Sequence, residues 1–321
     1  MNRATVLLLL LMLVALSQNS TRCEQTDREV EAVVRQVREW GGSVSVGPLR
    51  VHLSETNVSD RDIEVLAPLT NLQMLDLSHT RISDGVLAVI GGFMRLHALD
   101  VGFTQVRGRS LHELTGLTEL ETLGFGGPQV TDATLEQLVP LKSLRILDLS
   151  NSRITDRGLE PLSKLVRLQR LSLLGTSIDG SGLHFLASLP RLNTLSLVGT
   201  KITNGSLESL AAFPSLTSLD LDNTRTRDEG LRSIGEIKTL VSLNLALTDV
   251  SDAGLKSLSG LSNLQRLSLA GTVVSDAGLS HLEGLNQLRE LNLNFTRVGA
   301  EGVLRLRLRL PECDVTIELI P

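Results

Sequence analysis

The residues through which this chain could do chemistry are its aspartates, its six histidines and its two cysteines. Asp76, Asp100 and Asp148 stand 24 and 48 residues apart, so in a chain of period 24 they share one slot on stacked units. Carboxylates side by side on neighbouring strands lie about 5 Å apart and repel unless a cation or basic group comes between them. That set would attract a cation or a basic peptide. A second set, Arg170, Leu174, Val198, Asp220 and Asp222, puts two adjacent aliphatic residues inside a charged rim, as protein interfaces do. The histidines, at 52, 79, 97, 112, 184 and 281, are scattered through the period and do not converge. The face carrying the aspartates is expected to hold neither His nor Cys, hence no nucleophile with a nearby base and no soft metal cluster. No phosphate-cradling glycine loop or metal motif occurs at usable spacing. The sequence predicts a chain that is not an enzyme and carries no cofactor or metal.

The elements that position these residues follow from the period itself. Threonine recurs at 56, 80, 104, 176, 200, 224, 248, 272 and 296, with Pro128 and Ser152 in the two remaining slots. A fixed period of this length means stacked supersecondary units. Within one unit the leucines fall at 159, 162, 165, 168 and 171, then at 173. The pair Leu171 and Leu173 alternates as a short strand does. The run of threes cannot be one long helix, because its buried face drifts about 60° per step against 3.6 residues per turn. A short helix must therefore end early, and breakers stand ready at Pro68, Gly92, Gly116, Pro140, Gly260 and Gly284. Asp60, Asp84, Asp132, Asp156, Asp228, Asp252 and Asp276 share one phase at the helix start, where each is expected to cap its own helix. In the rung Leu123-Gly124-Phe125-Gly126-Gly127-Pro128 the threonine is lost, and the glycines predict an irregular strand, with a ligand contact as the alternative.

The pattern LxxLxLxxTx[IV][ST]DxGL resembles a leucine-rich repeat, with Thr where that family more often has Asn. It is most similar to the 24-residue repeats of exported bacterial proteins and, more distantly, to those of F-box proteins. The resemblance covers roughly residues 49 to 317. It implies an α/β solenoid, curved, with a parallel sheet on the concave face and short helices on the convex one. In the family the Asn or Thr ladder satisfies backbone groups where the chain turns off the strand, which implies the same for Thr80 and its equivalents. For function the resemblance implies little beyond binding, since repeat folds host many roles.

Composition and the two ends complete the reading. The 321 residues are 41% hydrophobic but 2% aromatic, and a net charge of −5 without a basic block excludes a nucleic-acid surface. Residues 1–17 are expected to be a signal peptide, with Arg3, the apolar run Val6 to Leu16 and the small-x-small site Ala15-Leu16-Ser17. The alternative is an uncleaved anchor, for which the run is short of about 20 residues. Residues 18–48 are expected to form a linker and capping helix, with Val30, Val33, Val34 and Val37 on one stripe, Thr26 or Asp27 as its cap, and Trp40 packed beneath. The array then spans 49–310, and 311–321 close it with a strand. Cys23 and Cys313 lie on the order of 50 Å apart across the stack and cannot pair. The expected protein is a secreted, periplasmic or cell-surface monomer, free of any membrane span once cleaved, that binds a protein or glycan through its concave face. The alternatives are a structural spacer of the envelope or matrix and an F-box-type adaptor. The latter would need a bundle of about 40 residues before the repeats, more than the stretch 24–48 allows.

Overall fold

The computed structural model describes residues 28–46 and 49–318. The expected signal peptide, Cys23 and the Thr26 or Asp27 cap lie outside them. The alternating leucines of each period form a three-residue strand, and the strands lie side by side in chain order in one 13-stranded sheet. They are β1 (Ser43–Val46), β2 (Leu49–His52), β3 (Met74–Asp76), β4 (Ala98–Asp100), β5 (Thr122–Gly124), β6 (Ile146–Asp148) and β7 (Arg170–Ser172). Then follow β8 (Thr194–Ser196), β9 (Ser218–Asp220), β10 (Ser242–Asn244), β11 (Arg266–Ser268), β12 (Glu290–Asn292) and β13 (Asp314–Thr316). From β2 onward the pairing is parallel and in step with the period, so Leu147 faces Leu171, Leu171 faces Leu195 and Leu195 faces Leu219. Leu159, Leu162, Leu165, Leu168, Leu171 and Leu173 are all buried, so one period closes a full turn around a continuous core. Helices of one or two turns, such as Leu159–Leu162 and Asp228–Ile234, return each rung to the sheet and pack on their neighbours.

The first rung is entered by a hairpin the periodicity does not reveal. Residues 28–39 are helical, with Val33 and Val37 buried and Trp40 partly covered against the core. The Gly42 N–H donates to the Val37 carbonyl at 2.9 Å and Gly41 has φ +87°, which ends the helix. The chain then runs through β1 antiparallel to β2, with Val44 opposite Val51, so β1 covers the edge β2 would otherwise expose. At the far end the alternating Leu and Arg residues are helical over Ala300–Arg309, and β13 pairs with β12. Cys313 is buried as a free thiol.

Two columns of side chains fasten the rungs. The hydroxyls of Thr56, Thr80, Thr104, Thr176, Thr200, Thr224, Thr248, Thr272 and Thr296 each donate to the carbonyl three residues earlier, at 2.6–2.7 Å. This is the ladder expected where the chain leaves the strand. The aspartate column, in contrast, does not cap its own helix. The N-cap positions are Ser59, Ser83, Thr131, Thr155, Ser251 and Ser275, and the aspartate is the residue after the cap. Its carboxylate points into the next rung. Asp60 accepts from the Ser83 N–H at 2.6 Å, Asp132 from Thr155 at 2.7 Å and Asp252 from Ser275 at 2.7 Å. Where the slot is glycine with positive φ, at Gly108 and Gly180, the preceding aspartate gathers three amides. Asp84 takes those of Arg107, Gly108 and Arg109. Asp156 takes those of Asp179, Gly180 and Gly182.

The glycine-rich rung is not irregular. β5 pairs in register with β4 and β6 on either side. Gly124 leaves room for the Asp100 carboxylate, which lies across it: a Cβ there would stand 2.5 Å from Asp100 Oδ1, and the carboxylate would have to shift.

Candidate binding site on the open sheet face

Helices cover one side of the sheet, so the residues alternating with the buried leucines form an open face. Its first acidic column is Asp76, Asp100, Gly124 and Asp148, placed on adjacent rungs by the pairing of β3 to β6. Each carboxylate has a backbone partner two residues on: Asp76 accepts from the Ser78 N–H at 3.0 Å, Asp100 from Gly102 at 2.8 Å and Asp148 from Ser150 at 2.9 Å. The aspartates therefore close the turn at the strand exit as well as lending the face its charge. Burial pushes the Asp100 carboxyl above the usual carboxylate range. The Gly102 N–H opposes that shift, Asp76 and Asp148 add to it, and His79 opposes it.

These carboxylates rim a hollow whose walls are Met74, Ala98 and Ile146. His52 also lines it, with Nδ1 3.7 Å from Asp76 Oδ2. The expectation that no histidine lies on this face is therefore wrong for the first rung, because β2 pairs His52 directly with Asp76.

The second set is only partly assembled. Leu174, Val198 and Asp222 stand in one row, tied by hydrogen bonds from Gly175 N to Val198 O (2.8 Å) and from Gly199 N to Asp222 O (2.9 Å). Leu174 and Val198 are half-buried. Arg170 sits at the other end of its strand, beside Ile146 and Thr194 and about 13 Å of extended chain from Leu174. Asp220 accepts from the Asp222 N–H at 3.1 Å, and burial pushes both carboxyls above their ordinary range.

A third feature escapes the sequence reading. One residue per rung takes a left-handed backbone at the strand exit: Glu55, His79, Phe103, Gly127, Asn151, Gly175, Gly199, Asn223, Leu247, Gly271 and Phe295. Glycine and asparagine suit that conformation, whereas Phe and Leu are strained in it. Phe103, Leu247 and Phe295 are nevertheless there, 38%, 60% and 59% exposed, and the Phe103 ring stacks on His79 with centroids 4.6 Å apart and planes 5° from parallel. The signal that finds them is a column of Gly and Asn interrupted by large apolar residues.

Among the described residues no group of His, Cys, Asp and Glu is arranged to hold a metal ion, and no helix is long and apolar enough to cross a membrane. Residues 49–256 match the model of the leucine-rich repeat region, and 285–306 match a leucine-rich repeat. No curated protein matches the chain. Among solved structures it is similar to an internalin (InlF) from Listeria monocytogenes, at 22% identity and TM-score 0.54, over 85% of this chain and 87% of that one. Internalin C2 of the same species gives 24% and 0.48, over 65% and 84% of the two chains. A leucine-rich repeat protein of Leptospira interrogans gives 18% and 0.43, over 79% and 80%. At such identities the likeness is one of fold. With its matched repeat region covering more than half its length, the chain belongs to the leucine-rich repeat family.

Proposed function

We propose that this chain is an exported, non-catalytic binding protein that takes a protein partner, or a glycan on one, on the open face of its sheet. The observation that carries the reading is the face itself. From β3 to β12 it presents side chains on strands held in register by backbone bonds, and among the described residues no helix lies over them. Such a surface is ordered before it meets a partner, so contact costs little further conformational entropy. Exposed aromatic and aliphatic residues border it at Phe103, Leu247 and Phe295, and charged groups stand within it. Those features favour an interface over an inert spacer. Export rests on the charged start, apolar run and small-residue site of residues 1–17.

The test is affinity capture from the envelope fraction of the host, with wild-type chain and folded variants side by side. A protein retained by the wild type, lost with Leu174→Arg or Asp100→Asn and kept with Glu160→Arg on the helical side, supports the reading. If every retained protein is indifferent to the open-face variants, the reading is wrong.

A further inference from the structure

We propose that the β3–β6 part of the open face is a docking groove for a basic peptide segment, which places an arginine or lysine side chain in the hollow and a neighbouring residue on Phe103. The proposal rests on the open face being the binding face, and narrows it to one partner chemistry.

The exposed aromatic pair comes first. Phe103 and His79 stack at the strand exit, both with left-handed backbone, in a slot that Gly127, Asn151, Gly175 and Gly199 fill without strain. Phe103 lies outside the buried core and is more than a third exposed, so its ring, stacked on His79 of the preceding rung on one side, leaves apolar surface open. A flat apolar surface maintained at a strained, exposed position is suited to being covered by something else.

The hollow beside it is lined with both apolar and acidic groups, as a long basic side chain would need. Its apolar walls, Met74, Ala98 and Ile146, can bury the methylenes of lysine or arginine, and its carboxylates can meet the charged head. Between hollow and stack Gly102 and Gly126 bring no side chain of their own to the surface, which leaves room for an extended segment, while the Asp100 carboxylate covers Gly124.

Charge selects the occupant. Asp76, Asp100 and Asp148 share the face, and among the described residues His52 is the one basic side chain within ion-pair distance of any of them. A neutral or acidic segment would leave the carboxylates repelling one another, whereas a guanidinium relieves that repulsion and can also stack on an aromatic face. A metal ion is the weaker occupant, since no such cluster is gathered among the described residues.

The probe is an end-blocked, fluorescein-labelled pentapeptide of alternating arginine and leucine, with a norleucine-for-arginine peptide as control. Both are titrated at low salt against the full chain and against variants shown by circular dichroism to be folded. The arginine peptide is expected to bind about tenfold more tightly than the control. Asp100→Asn and Asp148→Asn should each weaken it about fivefold or more, Phe103→Asn should weaken it too, and Leu174→Arg should leave it within about a factor of two. Equal binding of the two peptides, no binding of either at millimolar concentration, or indifference to both Asp→Asn variants overturns the proposal. If the partner captured from the envelope is lost with Leu174→Arg but kept with Asp100→Asn, this proposal falls and the open-face reading stands. If that partner ignores both variants, the open-face reading falls, whatever the peptide does.

Discussion

Asp132 is the reason residue 158 is glycine. Its Oδ1 reaches into the next rung to accept the Thr155 N–H at 2.7 Å, and a Cβ on Gly158 would stand 2.5 Å from that oxygen. Gly158 has φ −69°, which any residue adopts, so space and not backbone freedom selects it. The same relation joins Asp252 to Gly278 and Asp276 to Gly302. The Asp and Gly of the repeat motif are thus a single device whose halves lie on successive rungs.

This relation predicts strong coupling between the two positions. Gly158→Ala alone should cost about 1–3 kcal/mol, as overpacking does. Asp132→Ala alone should cost about 1 kcal/mol for its hydrogen bonds to Thr155. With Asp132 already removed, alanine at 158 should be tolerated or even mildly favourable, because it is the better helix former by about 1 kcal/mol. A double-mutant cycle in urea measures the coupling, and additive effects would contradict the shared device.

Truncating the strand leucines should be far more costly than touching the face. Leu171 and Leu195 are 1% and 0% exposed, so Leu→Ala at either should cost about 2–5 kcal/mol. Denaturant midpoints at constant slope would check this. A loss below about 1 kcal/mol would mean the rungs close over the missing side chain.

The left-handed column makes the opposite kind of prediction. Leu247 has φ +52° and is 60% exposed, so it is strained and buries little. Leu247→Asn, which copies Asn151 and Asn223 in the same slot, should stabilise the chain by about 0.5–1 kcal/mol. A lowered melting temperature would show that Leu247 packs more than its exposure implies.

Acidity should act on Asp100 with an unusual sign. Burial holds its carboxyl above the ordinary range, with Asp76 and Asp148 adding and the Gly102 N–H and His79 opposing. A carboxyl whose folded-state value is raised binds protons more readily folded than unfolded, so its ionisation weakens the fold as pH rises through that value. Asp100→Asn should therefore raise stability at pH 7. The gain should shrink as pH falls into the ordinary carboxylate range and the wild-type carboxyl becomes protonated. A gain that grows on acidification would contradict the sign.

Much of the fold was legible because the period is rigid. The threonine slots and the leucine spacing place the strands, the turn ladder and the buried face by phase alone. Phase does not show which neighbour a side chain reaches, so the aspartates read as caps of their own helices when they serve the next rung. It also stops where the repeat stops, which hid the antiparallel β1. His52, by contrast, stands one period before Asp76, so the phase that places the acidic column places it as well. On the open face the sequence located the acidic column and the row of Leu174, Val198 and Asp222. Grouping Arg170 with that row ignored the length of extended chain between them. Phe103, Leu247 and Phe295 were missed because an apolar residue draws notice on a buried face, and their signal was the Gly and Asn elsewhere in their column.

The most direct measurement is site-specific photocrosslinking in the host. A benzoylphenylalanine is placed at Ser196, in the middle of the open face, and separately at Glu160, exposed on the helical side. The account predicts a protein adduct from position 196 that is absent from position 160. An adduct from position 160 alone would contradict the claim that the open sheet face is where the partner binds.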